Sequence, residues 1–484
     1  MSQVGPASTR ISVLGRVAQL SLLLSFTALR TIRNAGCLRS WRGPAIRSRT
    51  ARTIAVGGAT SGPDAVDFSN ASRAAGACSG MMTSGLRHRR RLGLLIVQLL
   101  ALGAGACSHS APNHGESARE ADAGGAGGAE AAGGAEAAGG AGVADVAALL
   151  EPIRESNDLP ALGGMVISRD RVLALGVSGV RKRGDPTPAT VNDQWHLGSD
   201  TKAMTAALIG RFVDTGQLDF DAKLPILLPD DAATMDPAYR DVTLAQLLSH
   251  RSGMGDVADY PELVDDVASS AASVTEQRAA WTHGVLAIPP PQPLGEFFYS
   301  NSGYIVAGAV LERLTHRAWE SLLSEQVFAP LDMASCGFGA PGNADAEPVD
   351  QPWGHAGTTP IEPGPDADNP PALGPAGTVH CSLADWGKFV AVLLGAHPDF
   401  LSPTTLARLT TPADGDYAFG WIALDNQPWA NGVTWTHQGS NTLWFANVWI
   451  APHRDRAFFA VTNRGDEQAS AATNATILAL LQYL

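Results

Sequence analysis

Residues 196–202 read His-Leu-Gly-Ser-Asp-Thr-Lys, and Ser199 begins a segment with helical spacing of apolar residues that extends to Gly216. In a helix the side chains of Ser199 and Lys202, three residues apart, lie on one face and in contact. The start of a helix favours negative charge and burial disfavours a protonated amine, so we expect a lowered pKa for Lys202. A serine beside such an amine is the arrangement of a nucleophile with its base. The alternative is an N-cap serine followed by a solvated lysine.

Lysine is scarce in this chain. Of 34 basic residues only four are lysines, namely Lys182, Lys202, Lys223 and Lys388. Arginine stays charged under ordinary conditions, whereas a buried lysine amine can lose its proton and act as a base. Lys202 is the only lysine that follows a serine by three residues, and a surface position is the simpler expectation for the other three. The scarcity therefore favours a chemical role for Lys202.

A second polar pattern is Tyr299-Ser300-Asn301. Only six tyrosines occur in the chain, and no other has an asparagine two residues later. In an extended segment positions i and i+2 point to the same side, so the phenol and the carboxamide are expected to face one pocket. A tyrosine there can shuttle a proton, while Asn301 binds a substrate amide or orients Lys202. The alternative is an ordinary turn before the helix predicted over Ser302–Thr315.

A third pattern is His437-Gln-Gly439-Ser440, in a stretch that alternates like a strand. His437 and Gly439 share one strand face, and a glycine lets a substrate backbone approach closely. The next N–H, that of Ser440, is placed to donate to an oxyanion. The pattern is weak alone, because other His-x-Gly tripeptides begin at His196 and His355.

Hydrophobic periodicity places strands at both ends of the C-terminal part and mainly helical sequence between them. This order predicts an α+β fold with a sheet built from the two ends and an inserted helical region. The predicted elements are a helix over Val143–Ser156, two strands over Ala161–Val177, a helix over Ser199–Gly216, a helix over Ser302–Thr315, paired strands over Trp435–Asn463 and a helix over Ala469–Leu481.

In their order and spacing, Ser-x-x-Lys at 199–202, Tyr-x-Asn at 299–301 and His-x-Gly at 437–439 resemble the motifs of one superfamily. It is the serine β-lactamase and penicillin-binding protein superfamily, specifically its class C β-lactamase-like branch. Stretches that also look like that branch are 242–253, 299–304, 328–333, 375–377 and 383–388. The resemblance covers nearly all of 143–484. It implies a β-lactamase/transpeptidase-like α+β fold, with an antiparallel sheet flanked by helices from both chain ends plus an inserted mainly helical region.

The resemblance also implies catalytic roles. Ser199 attacks a carbonyl carbon, and Lys202 and Tyr299 relay its proton to the leaving group. The backbone N–H groups of Ser199 and Ser440 form the oxyanion hole. Tyr299 then helps water to hydrolyse the acyl-enzyme. No cofactor is implied, and the partner is a small-molecule or peptide substrate.

Asn301, His437 and Gly439 are implied to bind and orient that substrate. Class C β-lactamases usually carry a lysine where this chain has His437, and a permanent cation suits the carboxylate of a β-lactam, whereas histidine is mostly neutral near pH 7. The histidine form resembles D-amino-acid peptidases and esterases, so we expect an ester or a D-amino-acid amide as substrate. Trp435 on the same strand face is placed to line an apolar pocket, which favours an ester or aryl group.

Two alternatives remain open. A β-lactamase or D,D-carboxypeptidase acting on β-lactams or peptidoglycan peptides would use the same residues. A non-catalytic, penicillin-binding-like scaffold would share the fold, although a scaffold has no need to keep Ser199, Lys202, Tyr299 and Asn301.

The N-terminal part differs in composition. Residues 1–91 contain fourteen arginines against two acids, although the whole chain has a net charge of −13. Residues 1–80 are expected to be untranslated or disordered. Residues 81–107 have the basic, apolar and small-residue order of a signal peptide with a possible lipobox, so Cys107 is the expected lipidation site. Residues 108–142 are a Gly/Ala/Glu-rich disordered linker, and 143–484 form the hydrolase domain.

This organisation predicts export to a bacterial cell envelope, with a lipid anchor on the periplasmic face or, alternatively, as a soluble secreted or periplasmic protein. The acidic body argues against nucleic-acid binding. No Cys/His spacing resembles a metal site, and His250 is interpreted as structural. Cys336 and Cys381 either pair in an oxidising compartment or remain buried thiols. The sequence predicts no oligomeric state.

Overall fold

The structure of the protein, a computed structural model, describes residues 142–484. Its strands are β1 Ala144–Asp145, β2 Ala161–Ile167, β3 Val172–Gly179, β4 Gln194–His196, β5 Gly337–Phe338, β6 Gly354–Ala356, β7 Thr359–Ile361, β8 Val379–Ser382, β9 Ile422–Gln427, β10 Gly432–Ser440, β11 Phe445–Ala451 and β12 Arg456–Thr462. Its α-helices are α1 Ala147–Ser156, α2 Thr201–Asp214, α3 Leu224–Leu227, α4 Leu244–Leu248, α5 Pro261–Ser269, α6 Val274–Ala287, α7 Asn301–Thr315, α8 Trp319–Leu323, α9 Gly374–Gly377, α10 Leu383–Leu393, α11 Pro403–Thr410 and α12 Glu467–Leu480.

A seven-stranded sheet in the order β1-β3-β2-β12-β11-β10-β9 organises this part of the chain. Its neighbouring strands are antiparallel, except that the short β1 runs parallel to β3. β2, near the start, pairs along its length with β12, near the end. The prediction of an α+β fold whose sheet joins strands from both ends is therefore confirmed. Strand β9 was not predicted.

Helices cover both faces of the sheet because successive strand residues point to opposite sides. On one face Phe458 packs in a hydrophobic cluster with Leu150 of α1 and Leu480 of α12. On the other face its neighbour Phe459 packs against Trp386 of α10, with ring centroids 5.0 Å apart. The two terminal helices thus share one face, and the rest of the helical part lies against the other.

Helices α3 to α8 form the inserted region between β4 and β5. Its elements are tied together by Arg278 of α6, a fully buried residue that bonds the carboxylates of Glu312 on α7 and Glu320 on α8. Arg278 also donates through Nε to the carbonyl oxygen of Ala372, at 3.1 Å. This contact fixes the segment that leads into α9, which reaches the candidate site.

Two of the predicted helices begin at other residues in the structure, and the structure decides between the two alternatives for the cysteines. The first helix begins at Ala147 rather than Val143, because Ala144–Asp145 pairs as β1 with β3. The second helix is Thr201–Asp214, and Gly198–Asp200 forms a 3₁₀ turn in front of it. Of the two alternatives for Cys336 and Cys381, the structure has the disulfide.

The predictions for 1–80, for the signal segment 81–107 with Cys107, and for 108–141 lie outside the described residues. Within 142–484 no helix combines the length and apolarity needed to cross a membrane.

Candidate active site

Two glycines bring the turn that carries Ser199 against the end of β10. Gly198 has a φ of +51°, and a Cβ there would lie 2.3 Å from the backbone nitrogen of Ser440. A Cβ on Gly439 would lie 1.9 Å from the carbonyl oxygen of Leu197 and 2.7 Å from the nitrogen of Ser199. No side chain fits between the two backbones, so both positions require glycine. The N–H groups of Ser199 and Ser440 therefore come close together, where the sequence predicted an oxyanion hole.

Lys202 is fully buried in the first turn of α2. Its Nζ lies 3.1 Å from Ser199 Oγ, 2.7 Å from Asn301 Oδ1 and 2.7 Å from the carbonyl oxygen of Ala376. Burial lowers the pKa of Lys202 to about 7, against the opposing effect of Asp256 and Asp200.

The three neighbours of Lys202 match the hydrogen-bonding capacity of a neutral amine. Such an amine has two N–H donors and one lone pair. The oxygens of Asn301 and Ala376 are acceptors only, whereas the hydroxyl of Ser199 can also donate. The two N–H groups therefore bond the two carbonyl-type oxygens, and the lone pair faces Ser199 Oγ–H. In this state Lys202 is arranged to receive the proton of Ser199.

Tyr299 lies beside the same pair. Its ring centroid is 4.9 Å from Lys202 Nζ, and its hydroxyl interacts with the side chain of Ser199. Burial is the main cause that raises the pKa of Tyr299 above its ordinary value. The phenol thus carries its proton at neutral pH and can donate it.

Asn301 begins α7 and is held by Asp256, which the sequence did not single out. Asp256 Oδ1 accepts from the backbone N–H of Asn301 at 2.8 Å and from its Nδ2 at 3.0 Å. These two bonds fix the carboxamide so that Oδ1 faces Lys202. The structure thus favours orientation of Lys202 among the roles considered for Asn301. Asp256 follows no periodic pattern, so no local signal identified it.

His437 is buried, and protein groups occupy both of its ring nitrogens. Nδ1 lies 3.1 Å from Asp200 Oδ1, and Nε2 lies 3.1 Å from the hydroxyl of Tyr417. Burial raises the pKa of Asp200. The sequence predicted that His437 would contact substrate, but here a ring nitrogen must first release Asp200 or Tyr417. Gly439 does lie against the Ser199 turn, as described above.

His250 lies beside the site and has a structural role there, as the sequence interpretation expected. Its ring centroid lies 4.3 Å from that of Tyr299 and 4.6 Å from that of Tyr417. Its Nδ1 accepts the backbone N–H of Ser300 at 3.1 Å. Burial, together with the nearby charge of Lys202, lowers the pKa of His250 well below its usual value. His250 is thus a neutral ring that packs the tyrosines in place.

The other three lysines are at least partly exposed, as expected. Lys223 pairs with an exposed aspartate, Lys388 with carboxylates on its own helix and nearby, and Lys182 lies over the Trp353 ring at 3.6 Å. Trp435, predicted to line a substrate pocket, is partly buried and packs against the main core. In residues 142–484 no group of three His, Cys, Asp or Glu side chains is arranged to hold a metal ion.

Comparisons with known proteins identify the family of this chain. A family model described as Beta-lactamase matches residues 146–483. Penicillin-binding protein 4 of Amycolatopsis lactamdurans is 27% identical over 310 residues, covering 60% of this chain and 77% of that protein. The class C beta lactamase of Rhodobacter sphaeroides superposes with a TM-score of 0.55 at 20% identity, over 70% of this chain and 99% of that one. The D-amino acid amidase of Ochrobactrum anthropi SV3 gives a TM-score of 0.55 at 17% identity, over 69% and 95%. The predicted superfamily is confirmed: this chain belongs to the beta-lactamase family and is a serine hydrolase.

Proposed function

We propose that this hydrolase forms an acyl-enzyme at Ser199 and acts on an ester or a D-amino-acid amide. One observation carries the proposal: the fully buried Nζ of Lys202, with a pKa near 7, lies 3.1 Å from Ser199 Oγ. A base with a pKa near the working pH is suited to proton transfer from a serine hydroxyl.

In acylation, Ser199 Oγ bonds to the substrate carbonyl carbon while Lys202 Nζ takes the hydroxyl proton. The carbonyl electron pair moves to oxygen, and the N–H groups of Ser199 and Ser440 stabilise that oxyanion. When the oxyanion collapses, the bond to the leaving group breaks. Tyr299 donates its proton to the leaving group and regains one from Lys202, so the protonated amine returns to its neutral state.

In deacylation, a water molecule takes the place of the leaving group. As the water oxygen bonds to the acyl carbon, Tyr299 takes one proton of the water and passes its own proton to the neutral amine of Lys202. The same two N–H groups receive the second oxyanion. Its collapse breaks the bond to Ser199 Oγ, which regains a proton from Lys202, and the carboxylic acid product leaves.

The substrate class follows from the environment of His437. With Nδ1 on Asp200 and Nε2 on Tyr417, the ring has no free donor for a substrate carboxylate. This arrangement supports substrates that lack a carboxylate beside the scissile bond, such as simple esters and D-amino-acid amides. A β-lactamase or D,D-carboxypeptidase is the second candidate, and the similarity to a penicillin-binding protein favours it.

The experiment is intact-mass detection of an acyl-enzyme across p-nitrophenyl esters, D-amino-acid p-nitroanilides, D-Ala-D-Ala peptides and a chromogenic cephalosporin. We expect a mass increase and turnover with the first two, and neither with a Ser199→Ala variant. If the cephalosporin were turned over much faster than the esters, the β-lactamase or D,D-carboxypeptidase would become the favoured candidate. A wild type that no substrate, fluorophosphonate or penicillin labels above Ser199→Ala would leave only the scaffold alternative.

We also propose that the protein is exported and lipid-anchored through Cys107. The signal-like order of residues 81–107 supports export, and the Cys336–Cys381 disulfide suits an oxidising compartment. Palmitate labelling of the full chain in a bacterial host tests the anchor. Label should appear in the wild type, and a Cys107→Ala variant that still incorporates it would contradict the proposal.

A further inference from the structure

The two halves of the proposed oxyanion hole come from distant parts of the chain. Ser199 stands in the turn Gly198–Asp200, and Ser440 ends β10. The glycines of these segments touch, yet among the described residues no backbone hydrogen bond joins the turn to β10. Beyond this backbone contact, bridges between side chains tie the two segments together.

One side-chain bridge is the contact of Asp200 with His437, already described. A second bridge lies on the other side of the glycine contact and is centred on Asp368. Asp368 Oδ1 lies 2.8 Å from Nε2 of His196 and accepts from Nδ2 of Asn441 at 3.1 Å. His196 lies two residues before Gly198, the first residue of the Ser199 turn, and Asn441 immediately follows Ser440.

On the first side, His196 links Asp368 to the turn that carries Ser199. Its Nδ1 accepts the backbone N–H of Gly198 at 3.1 Å, so the ring proton is on Nε2 and faces the carboxylate. The distance from Nε2 to Asp368 Oδ1 is short, but the two groups are not aligned as in a regular hydrogen bond. The attraction between the ring and the carboxylate is therefore mainly electrostatic. His196 is fully buried and the side chain of Asp368 is 5% exposed, so water screens the contact little.

On the second side, Asn441 links Asp368 to the end of β10. Its Oδ1 accepts the N–H groups of Leu443 and Trp444 at 3.1 and 3.2 Å, which shapes the turn after Ser440. Its Nδ2 donates to Asp368 Oδ1 and also to the carbonyl oxygen of Ala367, at 3.2 Å, so the turn cannot shift without straining the bond to Asp368. The ring of His196 also stacks on Trp444, with centroids 5.8 Å apart.

We propose that Asp368 is a positioning residue that sets the separation of the two oxyanion donors. It touches no reacting atom and acts through His196 on Ser199 and through Asn441 on Ser440. The inference rests on the proposed function, because it assumes that these two N–H groups receive the oxyanion.

The test compares Asp368→Ala, which removes both contacts, with Asp368→Asn, which keeps an acceptor oxygen. Glu362→Gln, at an exposed position of the same connecting segment, is the control. Acylation rate and KM are measured with a p-nitrophenyl ester, together with the rate ratio between that ester and its thionoester. A sulfur anion is larger than oxygen and a poorer acceptor, so this ratio reports the fit of the oxyanion hole.

Misplacing a reacting group by about 1 Å costs up to roughly a hundredfold in rate. We therefore expect acylation by Asp368→Ala to fall about tenfold to a hundredfold, with KM nearly unchanged and a smaller ester-to-thionoester ratio. Asp368→Asn should recover most of the rate, and the control should match the wild type.

Wild-type acylation rate and thionoester ratio in a folded Asp368→Ala protein would overturn the inference. Should Asp368→Ala not fold, Asn441→Ala breaks the bridge on one side only and carries the same expectation and the same refuting outcome. Failure of the proposed function is distinct, because the wild type would then show no acylation at Ser199.

Discussion

The pH dependence of acylation should depend on Asp256, a residue that touches neither Ser199 nor the substrate. Acylation requires neutral Lys202, so kcat/KM of the wild type should rise with pH through a pKa of about 7 and then level off. The carboxylate of Asp256 favours the charged amine and so raises this pKa. The Asp256→Asn variant removes that charge, keeps the side-chain shape, and should shift the rise to lower pH.

The size of the shift follows from the geometry. Lys202 Nζ is 2.7 Å from Asn301 Oδ1, and Asn301 Nδ2 is 3.0 Å from Asp256 Oδ1. Adding the width of the carboxamide puts the two charges about 7 Å apart, which at an effective dielectric of about 20 gives roughly 2.4 kcal/mol. One pKa unit corresponds to about 1.4 kcal/mol. Because Asp256 is half-buried, solvent screening reduces the shift to about one unit.

The assay is kcat/KM for a p-nitrophenyl ester between pH 5 and 9, where Tyr299 stays protonated. The matched control is Asp259→Asn, which neutralises an exposed carboxylate on the same turn that does not act on Lys202. We expect the midpoint near pH 6 for Asp256→Asn and near pH 7 for the control and the wild type. A midpoint that stays in place or moves upward in Asp256→Asn would refute this account of Lys202.

Three further predictions concern the frame around the site. Gly439→Ala places a methyl group within 1.9 Å of a backbone carbonyl oxygen, so acylation should fall at least a hundredfold; a near-native burst would contradict the close contact. Replacing Cys336 and Cys381 by serine opens a loop with a sequence separation of 45, which should lower the free energy of unfolding by about 4 kcal/mol in urea titration, and an unchanged midpoint would refute it. Arg278→Met leaves the buried carboxylate of Glu312 without its partner and should cost about 3–5 kcal/mol, whereas Arg278→Lys should cost less; equal Tm values for both and the wild type would exclude this role.

The residues that sequence alone placed correctly are those linked by local geometry. Ser199 and Lys202 are three residues apart, and one turn of helical backbone is enough to bring them together. The stretches 161–177 and 435–463 were expected to form strands from their own residues, and they contain β2, most of β3 and β10, and all of β11 and β12. A sheet that joins strands from both ends was expected from their order in the chain, whereas the specific pairing of β2 with β12 was not predicted.

The residues that sequence missed act across long stretches of chain. Asp256, Asp368 and Tyr417 lie in irregular segments with no periodicity, so nothing nearby indicates what they contact. For His437 the sequence indicated the position in a strand but not the groups that the side chain contacts. Its strand face was predicted, but whether its nitrogens meet substrate or protein depends on Asp200 and Tyr417, which reach it from other elements.

Carboxylates near the Ser199 turn determine which substrate charge the site is expected to accept. Three carboxylates, those of Asp200, Asp256 and Asp368, lie around the Ser199 turn, while Lys202 is only partly charged at neutral pH. An anionic group beside the scissile bond should therefore be repelled, and a neutral or cationic group accepted. Between p-nitrophenyl butyrate and the matched hemisuccinate ester, we expect kcat/KM to favour the neutral butyrate by about tenfold at low ionic strength, with the difference shrinking in salt. A preference for the hemisuccinate would instead require a cation that accepts its carboxylate, and it would favour β-lactams over esters as substrates.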